Sequence, residues 1–193
     1  MPAASRKIAV LALQGDFAEH EKSLQALGAE TLEIRQASDL SKDFGGLVIP
    51  GGESTVMGKL LRDLSLFAPL RERLSQGLPV MATCAGLILL ARRIADDPAL
   101  HFATLDVTVR RNAYGRQLGS FFTRGAFGAW EDVPMSFIRA PSIVSAGAGV
   151  TVLSSFQGQP TAVRQGRQLA MAFHPELLSD HRIHRYFLEE VCR

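Results

Sequence analysis

Cys84 stands at the seam of "VMATCAGLILLA" (Val80 to Ala91), between an apolar run that reads as a strand and one that reads as a helix. Its neighbours Ala82, Ala85 and Gly86 are small, as a sharp strand-to-helix turn that lifts a nucleophile above a sheet requires. The N–H groups of the following helix point at the sulfur, and their partial positive charge favours thiolate over thiol. The alternative is a buried structural cysteine, since free cysteines pack as small hydrophobes. A base stands in "AMAFHPELL": His174 follows another apolar run, and Glu176 lies two residues on, where its carboxylate can orient the imidazole. Cysteine, histidine and carboxylate make a nucleophile, a general base and an orienter. A histidine alone at a strand end is a capped or solvated side chain; its pairing with the cysteine turn points to catalysis. In "PGGES" (Pro50 to Ser54) two glycines beyond an apolar run let backbone N–H groups approach a carbonyl closely, as an oxyanion hole demands. Alone, such a turn is a plain loop.

These features need elements to position them. "KIAVLAL" (Lys7 to Leu13) reads as a strand, followed by Asp16 as a helix N-cap. Phe17, Leu24 and Leu27 recur at helical spacing, and Gly28 stands where that helix ends. "ETLEIR" and "GGLVIPGGES" supply two more strands. Ser54 is placed to cap "TVMGKLLRDL", and a helix around Leu66 to Gln76 precedes the strand "LPVMATC". Alternating strands and helices predict a three-layer α/β fold, with a mostly parallel central sheet flanked by helices. In such sheets ligands bind beyond the carboxyl ends of the strands, which is where Cys84 falls. From Leu105 onward shorter pieces, "LDVTVRR", "MSFIRA", "VTVLSSF", "TAVRQG" and "QLAMAF", predict added antiparallel strands. A last helix, "SDHRIHRYFLEEVCR", is opened by Ser179 as N-cap.

The whole chain narrows the function classes. It has 193 residues, 47% of them hydrophobic, enough for one well-buried core, and the expectation is a single domain over 1–193. No apolar run approaches the roughly 18 residues a membrane span needs, so a soluble, cytoplasmic protein without a membrane partner is expected. A net charge of +2 with scattered Lys and Arg does not suggest nucleic acid. Cys84 and Cys192 are far apart and outside any CxxC pair, which suggests neither a disulfide framework nor a zinc site. Cys192 reads as an incidental apolar residue.

Taken together, "TCAGL", "FHPEL" and "PGGES" resemble the class I (triad) glutamine amidotransferases, whose fold is flavodoxin-like. A closer likeness is to the glutaminase subunits of pyridoxal 5'-phosphate synthase, through "LALQGDFAEH", "LVIPGGEST", "TCAGLILLA", "RRNAYGRQ", "FIRAP" and "FHPEL". That resemblance implies that Cys84 attacks the side-chain amide of L-glutamine, His174 moves the proton, and Glu176 holds His174. A glutamyl thioester forms and water releases glutamate. It implies substrate contacts at Gly52, Glu53, Ser54, Arg111, Ile138 and Arg139, an oxyanion hole from backbone N–H groups at Gly52 and Ala85, and no cofactor. It also implies a partner, the (β/α)8-barrel synthase subunit in a hetero-oligomer, which receives ammonia through a tunnel and docks near Gln14 and Gly15.

Two positions depart from the family pattern. Ala82 replaces a glycine, which still permits a tight turn. Arg110 replaces a common acidic residue and adds a positive charge beside Arg111. His181 and His184 are spaced as metal ligands can be, yet nothing nearby completes a site, and no metal is expected. His20 is expected on the exposed face of the first helix, toward the docking side by the resemblance, and Trp130 is expected to be a packing residue. "LQGD" and "PGGES" lack nucleotide-loop spacing. The competing readings are a glutaminase subunit serving a histidine, purine or cobyric acid pathway, and a binding subunit whose cysteine is structural.

Overall fold

The computed structural model describes residues 7–112 and 119–193. The chain begins with β1 (Lys7–Leu11), α1 (Phe17–Ala26), β2 (Glu30–Ile34), β3 (Gly46–Ile49), α2 (Ser54–Asp63), α3 (Phe67–Ser75), β4 (Val80–Thr83) and α4 (Ala85–Leu90). It continues through β5 (Ala91–Ile94), β6 (Leu105–Arg110), β7 (Ser120–Phe127), β8 (Trp130–Ile138), β9 (Ser142–Ala146), β10 (Thr151–Phe156), β11 (Gln159–Gln165), β12 (Gln168–Met171) and α5 (Arg182–Tyr186). A π-helical turn, Phe187–Val191, prolongs α5.

Seven strands form the central sheet in the order β10-β11-β12-β4-β3-β1-β2. β2, β1, β3, β4 and β12 run parallel, while β10 and β11 add an antiparallel edge. "GLVI" and "VMAT" are buried at every residue, as strands covered on both faces must be. α1 packs on β1, β2 and α5, the π-helical turn lies on β4 and β12, and α2 packs on α3 and α4. Order 2-1-3-4 with a further parallel strand beyond is the flavodoxin-like arrangement, and its carboxyl edge is the expected ligand edge.

Several boundaries differ from the sequence reading for local reasons. Glu53, not Ser54, caps α2: its two carboxylate oxygens accept the N–H groups of Thr55 at 3.0 Å and Val56 at 2.8 Å. α5 opens at His181 rather than Ser179, and the neighbouring Asp180 carboxylate accepts the Arg182 N–H at 3.0 Å. Asp16 sits at the N-cap of α1, but its side chain makes no capping bond. α4 is six residues long and runs directly into β5, which pairs with β6 in a second small sheet of order β5-β6-β9. β7 and β8 form a separate hairpin, of which "MSFIRA" is the end.

Candidate active site

Register puts the nucleophile and base side by side. Met171 of β12 pairs with Thr83 of β4, so the two strands emerge together, and the Cys84 N–H donates to Met171 O at 2.9 Å. Cys84 then turns the chain at φ 48° and ψ −101°, a conformation that costs a non-glycine residue of order 1–3 kcal/mol and recurs where function holds it. Gly86 allows the turn to close, because a Cβ there would lie 2.3 Å from Ile49 O. The same Cβ would lie 3.1 Å from Ala82 Cβ, so the alanine at that departure fits against a glycine.

His174 leaves β12 with its backbone N–H on Ser136 O of β8 at 2.8 Å. Its Nδ1 lies 2.7 Å from Glu176 Oε1 and 3.4 Å from Asp16 Oδ2. Pro175 starts the 3₁₀ turn Pro175–Leu177 that swings Glu176 back under the ring. Both His174 and Glu176 are buried. Burial draws the imidazole pKa down, but hydrogen bonds with Cys84 and Glu176 outweigh it and raise it from 6.5 to about 10. Burial pushes the Glu176 carboxyl above its ordinary value, with the His174 hydrogen bond opposing. Asp16, His174 and Glu176 present ligand atoms within 4.8 Å of one another. The 2.7 Å bond already occupies the nitrogen a cation would need.

A raised imidazole pKa has a consequence for stability. The folded chain keeps a proton on His174 that the unfolded chain releases near 6.5, so between 6.5 and about 10 the folded state binds more protons. The contribution is full below 6.5 and lost as pH rises through about 10. The Tm of the wild type is therefore expected to fall across this window more steeply than that of His174→Asn. Parallel slopes in thermal melts would contradict the raised value.

A cleft of about 410 Å³ opens above these residues. Of the residues singled out from sequence, Gln14, Gly52, Glu53, Ser54, Cys84, Arg111, Ile138, Arg139 and His174 line it. Glu176 lies behind His174, Ala85 opens α4 directly after the nucleophile, and Gly15 lies against Gly51 beneath the rim. Asp16, Ile88, Asn112 and Leu177 line it too and were missed; for Asp16 and Asn112 the signal was adjacency to "LQG" and to Arg111. Arg111 reaches Asp97 Oδ2 at 3.0 Å, and its Nε is buried without a hydrogen-bond partner among the described residues. Arg110 points elsewhere, to Asp96 Oδ2 at 3.7 Å, so the feared second charge does not enter the cleft. The remainder of "RRNAYGRQ", residues 113–117, lies outside the described residues. Ile138 O lies 4.0 Å from Cys84 Sγ, and Arg139 holds φ 41° with its N–H on Gly119 O.

The "PGGES" turn is fastened from beneath. Gln14 Oε1 accepts the Glu53 N–H at 2.9 Å, and Gly15 comes so close that a Cβ on it would lie 1.7 Å from Gly51 O. Gly51 in turn abuts the imidazole, where a Cβ would meet His174 Cε1 at 2.4 Å. Glu53 directs its carboxylate into the helix cap. Burial raises its pKa, but the capping N–H groups prevail and hold it below the ordinary value.

His20 corrects an expectation: it is fully buried rather than on the exposed face of α1, and so is His184. α1 and α5 pack on each other and close over both rings. Cys192 is packed near Gly46, and burial pushes its thiol up to about 12, in keeping with an apolar filler. Trp130 packs with Phe127 and Tyr186, both centroids 6.2 Å away.

A cysteine elbow and a histidine–carboxylate pair thus share one cleft at the carboxyl edge of a flavodoxin-like sheet. Residues 10–193 match the SNO glutamine amidotransferase family. The chain belongs to that family. It is 57% identical over 185 residues to a protein of Desulfitobacterium hafniense named pyridoxal 5'-phosphate synthase subunit PdxT, covering 96% of this chain and 93% of that one. A Streptococcus pneumoniae protein of the same name is 50% identical over 190 residues, covering 97% and 98%. A crystal structure described as a glutamine amidotransferase superposes with a TM-score of 0.90 at 43% identity, covering 94% of this chain and 97% of the other.

Proposed function

We propose that this chain is the glutaminase subunit of a pyridoxal 5'-phosphate synthase, one domain over residues 1–193 acting in the cytoplasm. The observation that carries this reading is the 2.7 Å His174–Glu176 pair sharing a site with Cys84, in a chain so similar to relatives bearing that name. Among the described residues no helix is long and apolar enough to cross a membrane.

In the proposed reaction the proton already rests on His174 as the Cys84 sulfur attacks the side-chain amide carbon of L-glutamine. The tetrahedral oxyanion rests on backbone N–H groups of Gly52 and Ala85. His174 gives the proton to the departing nitrogen, the C–N bond breaks, and ammonia leaves a glutamyl thioester on Cys84. Water gives a proton to His174 and adds to the thioester; the C–S bond breaks, glutamate is released, and the sulfur and the protonated imidazole are restored. Glu176 keeps the imidazole in one tautomer and offsets its positive charge. Arg111, with its buried Nε unpartnered, is suited to the substrate α-carboxylate. Gly52, Glu53, Ser54, Ile138 and Arg139 complete the substrate contacts.

Free ammonia protonates in neutral water, so the proposed partner is the synthase barrel subunit, docked near Gln14 and Gly15 and receiving ammonia directly. The contacts of Gln14 with Glu53 and of Gly15 with Gly51 support this, because docking there would bear on the oxyanion turn. Glutamate release is expected to rise strongly when the barrel subunit is added to the purified chain. Release indifferent to it would move the ammonia to another acceptor.

A further inference from the structure

Glu176 spends one oxygen on His174: Oε1 is bonded to Nδ1, while Oε2 is buried and makes no hydrogen bond among the described residues. A buried carboxylate oxygen left without a donor raises the cost of keeping the group ionised. Facing Oε2 at 3.4 Å is Nε2 of His20. The same Nε2 bonds Thr83 Oγ1 at 3.2 Å, and on the other side of the ring His184 Nε2 lies 3.0 Å from Nδ1. α1, β4, α5 and the turn carrying Glu176 thus meet in one buried polar cluster, directly behind the base and beside the nucleophile's neighbour Thr83.

The nitrogen-to-nitrogen contact needs one N–H and one lone pair. Burial first, then the neighbouring imidazoles of His184 and His174, hold His20 well below its ordinary pKa, and burial with His181 takes His184 down to about 3. Both rings are neutral, and two tautomer arrangements remain. If His20 donated through Nδ1, its Nε2 would turn a lone pair toward a carboxylate. If His184 Nε2–H donates to His20 Nδ1, the His20 proton sits on Nε2 and faces Glu176 Oε2. Only the second puts opposite partial charges across the 3.4 Å gap.

We propose that His20, set in its tautomer by His184, is a positioning residue for glutamine hydrolysis: its Nε2–H, bonded to Thr83 Oγ1, brings positive partial charge to within 3.4 Å of Glu176 Oε2 and keeps that carboxylate ionised and aimed at His174. The proposal rests on the triad reading above. The ionisable groups around it are Glu176, His184 and His174 at His20, His181 at His184, and Asp16 at His174 and Glu176. Without the donor Glu176 would protonate at higher pH, and the imidazole would lose its orienter on the acid side. His20 does not line the cleft, so substrate affinity should not change.

The test is glutamate release by full-length variants with the synthase subunit present, from about pH 5 to pH 9, with circular dichroism to establish folding. His20→Phe keeps a ring without N–H. It should lower kcat about tenfold or more, leave KM unchanged, and move the acid limb up by about one pH unit. His20→Gln, whose amide nitrogen can stand near the Nε2 position, should recover most of the rate and the limb. A folded His20→Phe with the wild-type limb, or Phe and Gln variants equally impaired with the limb unmoved, would overturn the proposal. Should the Phe variant not fold, Gln is compared with Asn, whose nitrogen reaches only the Nδ1 position; equal profiles then overturn it. Cys84→Ala run in parallel separates the two levels. Its retention of release would sink the triad itself, whereas its loss beside wild-type His20 profiles would remove only the role of His20.

Discussion

Cys84→Ala is expected to lower glutamate release by on the order of 10⁴-fold or more while leaving the fold and glutamine binding in place. The size follows from what is removed: no neighbouring side chain can replace sulfur as nucleophile, and the reaction falls back on water. The fold should survive because Ala carries the same Cβ through the φ 48° turn that Cys84 already adopts. The backbone bond to Met171 O and the close approach of Gly86 to Ile49 do not involve sulfur. A second readout checks the coupling. The hydrogen bond that the protonated His174 ring donates to the Cys84 sulfur is one of the two that lift its pKa to about 10, so in the variant the imidazole should titrate at lower pH, as followed by NMR of the ring protons. Glutamate release near the wild-type rate would show that another group performs the attack. An unmoved His174 titration would show that the thiol and imidazole are not in contact.

The proposed triad was legible because each member sits where residue type and an element boundary coincide: small residues around Cys84, and Pro175 ending the run before Glu176. The parallel sheet was legible in "GLVI" and "VMAT", whose unbroken apolar runs need cover on both faces. Other features depended on contacts distant in sequence. His20 lies between Glu19 and Glu21 and reads locally as exposed; it is buried because its ring packs against Thr83, Glu176 and His184, the last 164 positions away. Strand β7 was hidden because Phe121 and Phe122 are adjacent, which spoils a period-two pattern in a hairpin whose burial is partial. Ser54 was read as the α2 cap because short hydroxyl side chains usually do this, but the longer Glu53 reaches both free N–H groups and wins. The Arg110 departure could not be weighed from sequence, since its outcome turned on Asp96 lying within reach.

Gly15→Ala is expected to lower kcat by about 10²–10³-fold, because it disturbs the oxyanion turn without touching the triad. A Cβ at this position would lie 1.7 Å from Gly51 O and 2.7 Å from Gly51 C. Both are backbone atoms, so no rotamer change can relieve the collision, and the Gly51–Gly52 segment must move. Gly51 cannot retreat toward the base, where the His174 ring already leaves no room for a Cβ. The displaced segment would carry Gly52, the proposed oxyanion donor, and would strain the Gln14–Glu53 bond that holds the turn from below. Backbone strain is a separate effect, since Gly15 holds φ +85°, and Gly28→Ala controls for it. Gly28 has nearly the same φ, +80°, with nothing within 4 Å of a Cβ. It should lose on the order of 1 kcal/mol of stability and keep the wild-type kcat. If kinetic assays found both alanine variants equally active, the contact between Gly15 and the turn would play no part in catalysis. A loss confined to Gly15→Ala, with KM little changed, would tie the β1 loop to the transition state through the 51–52 backbone.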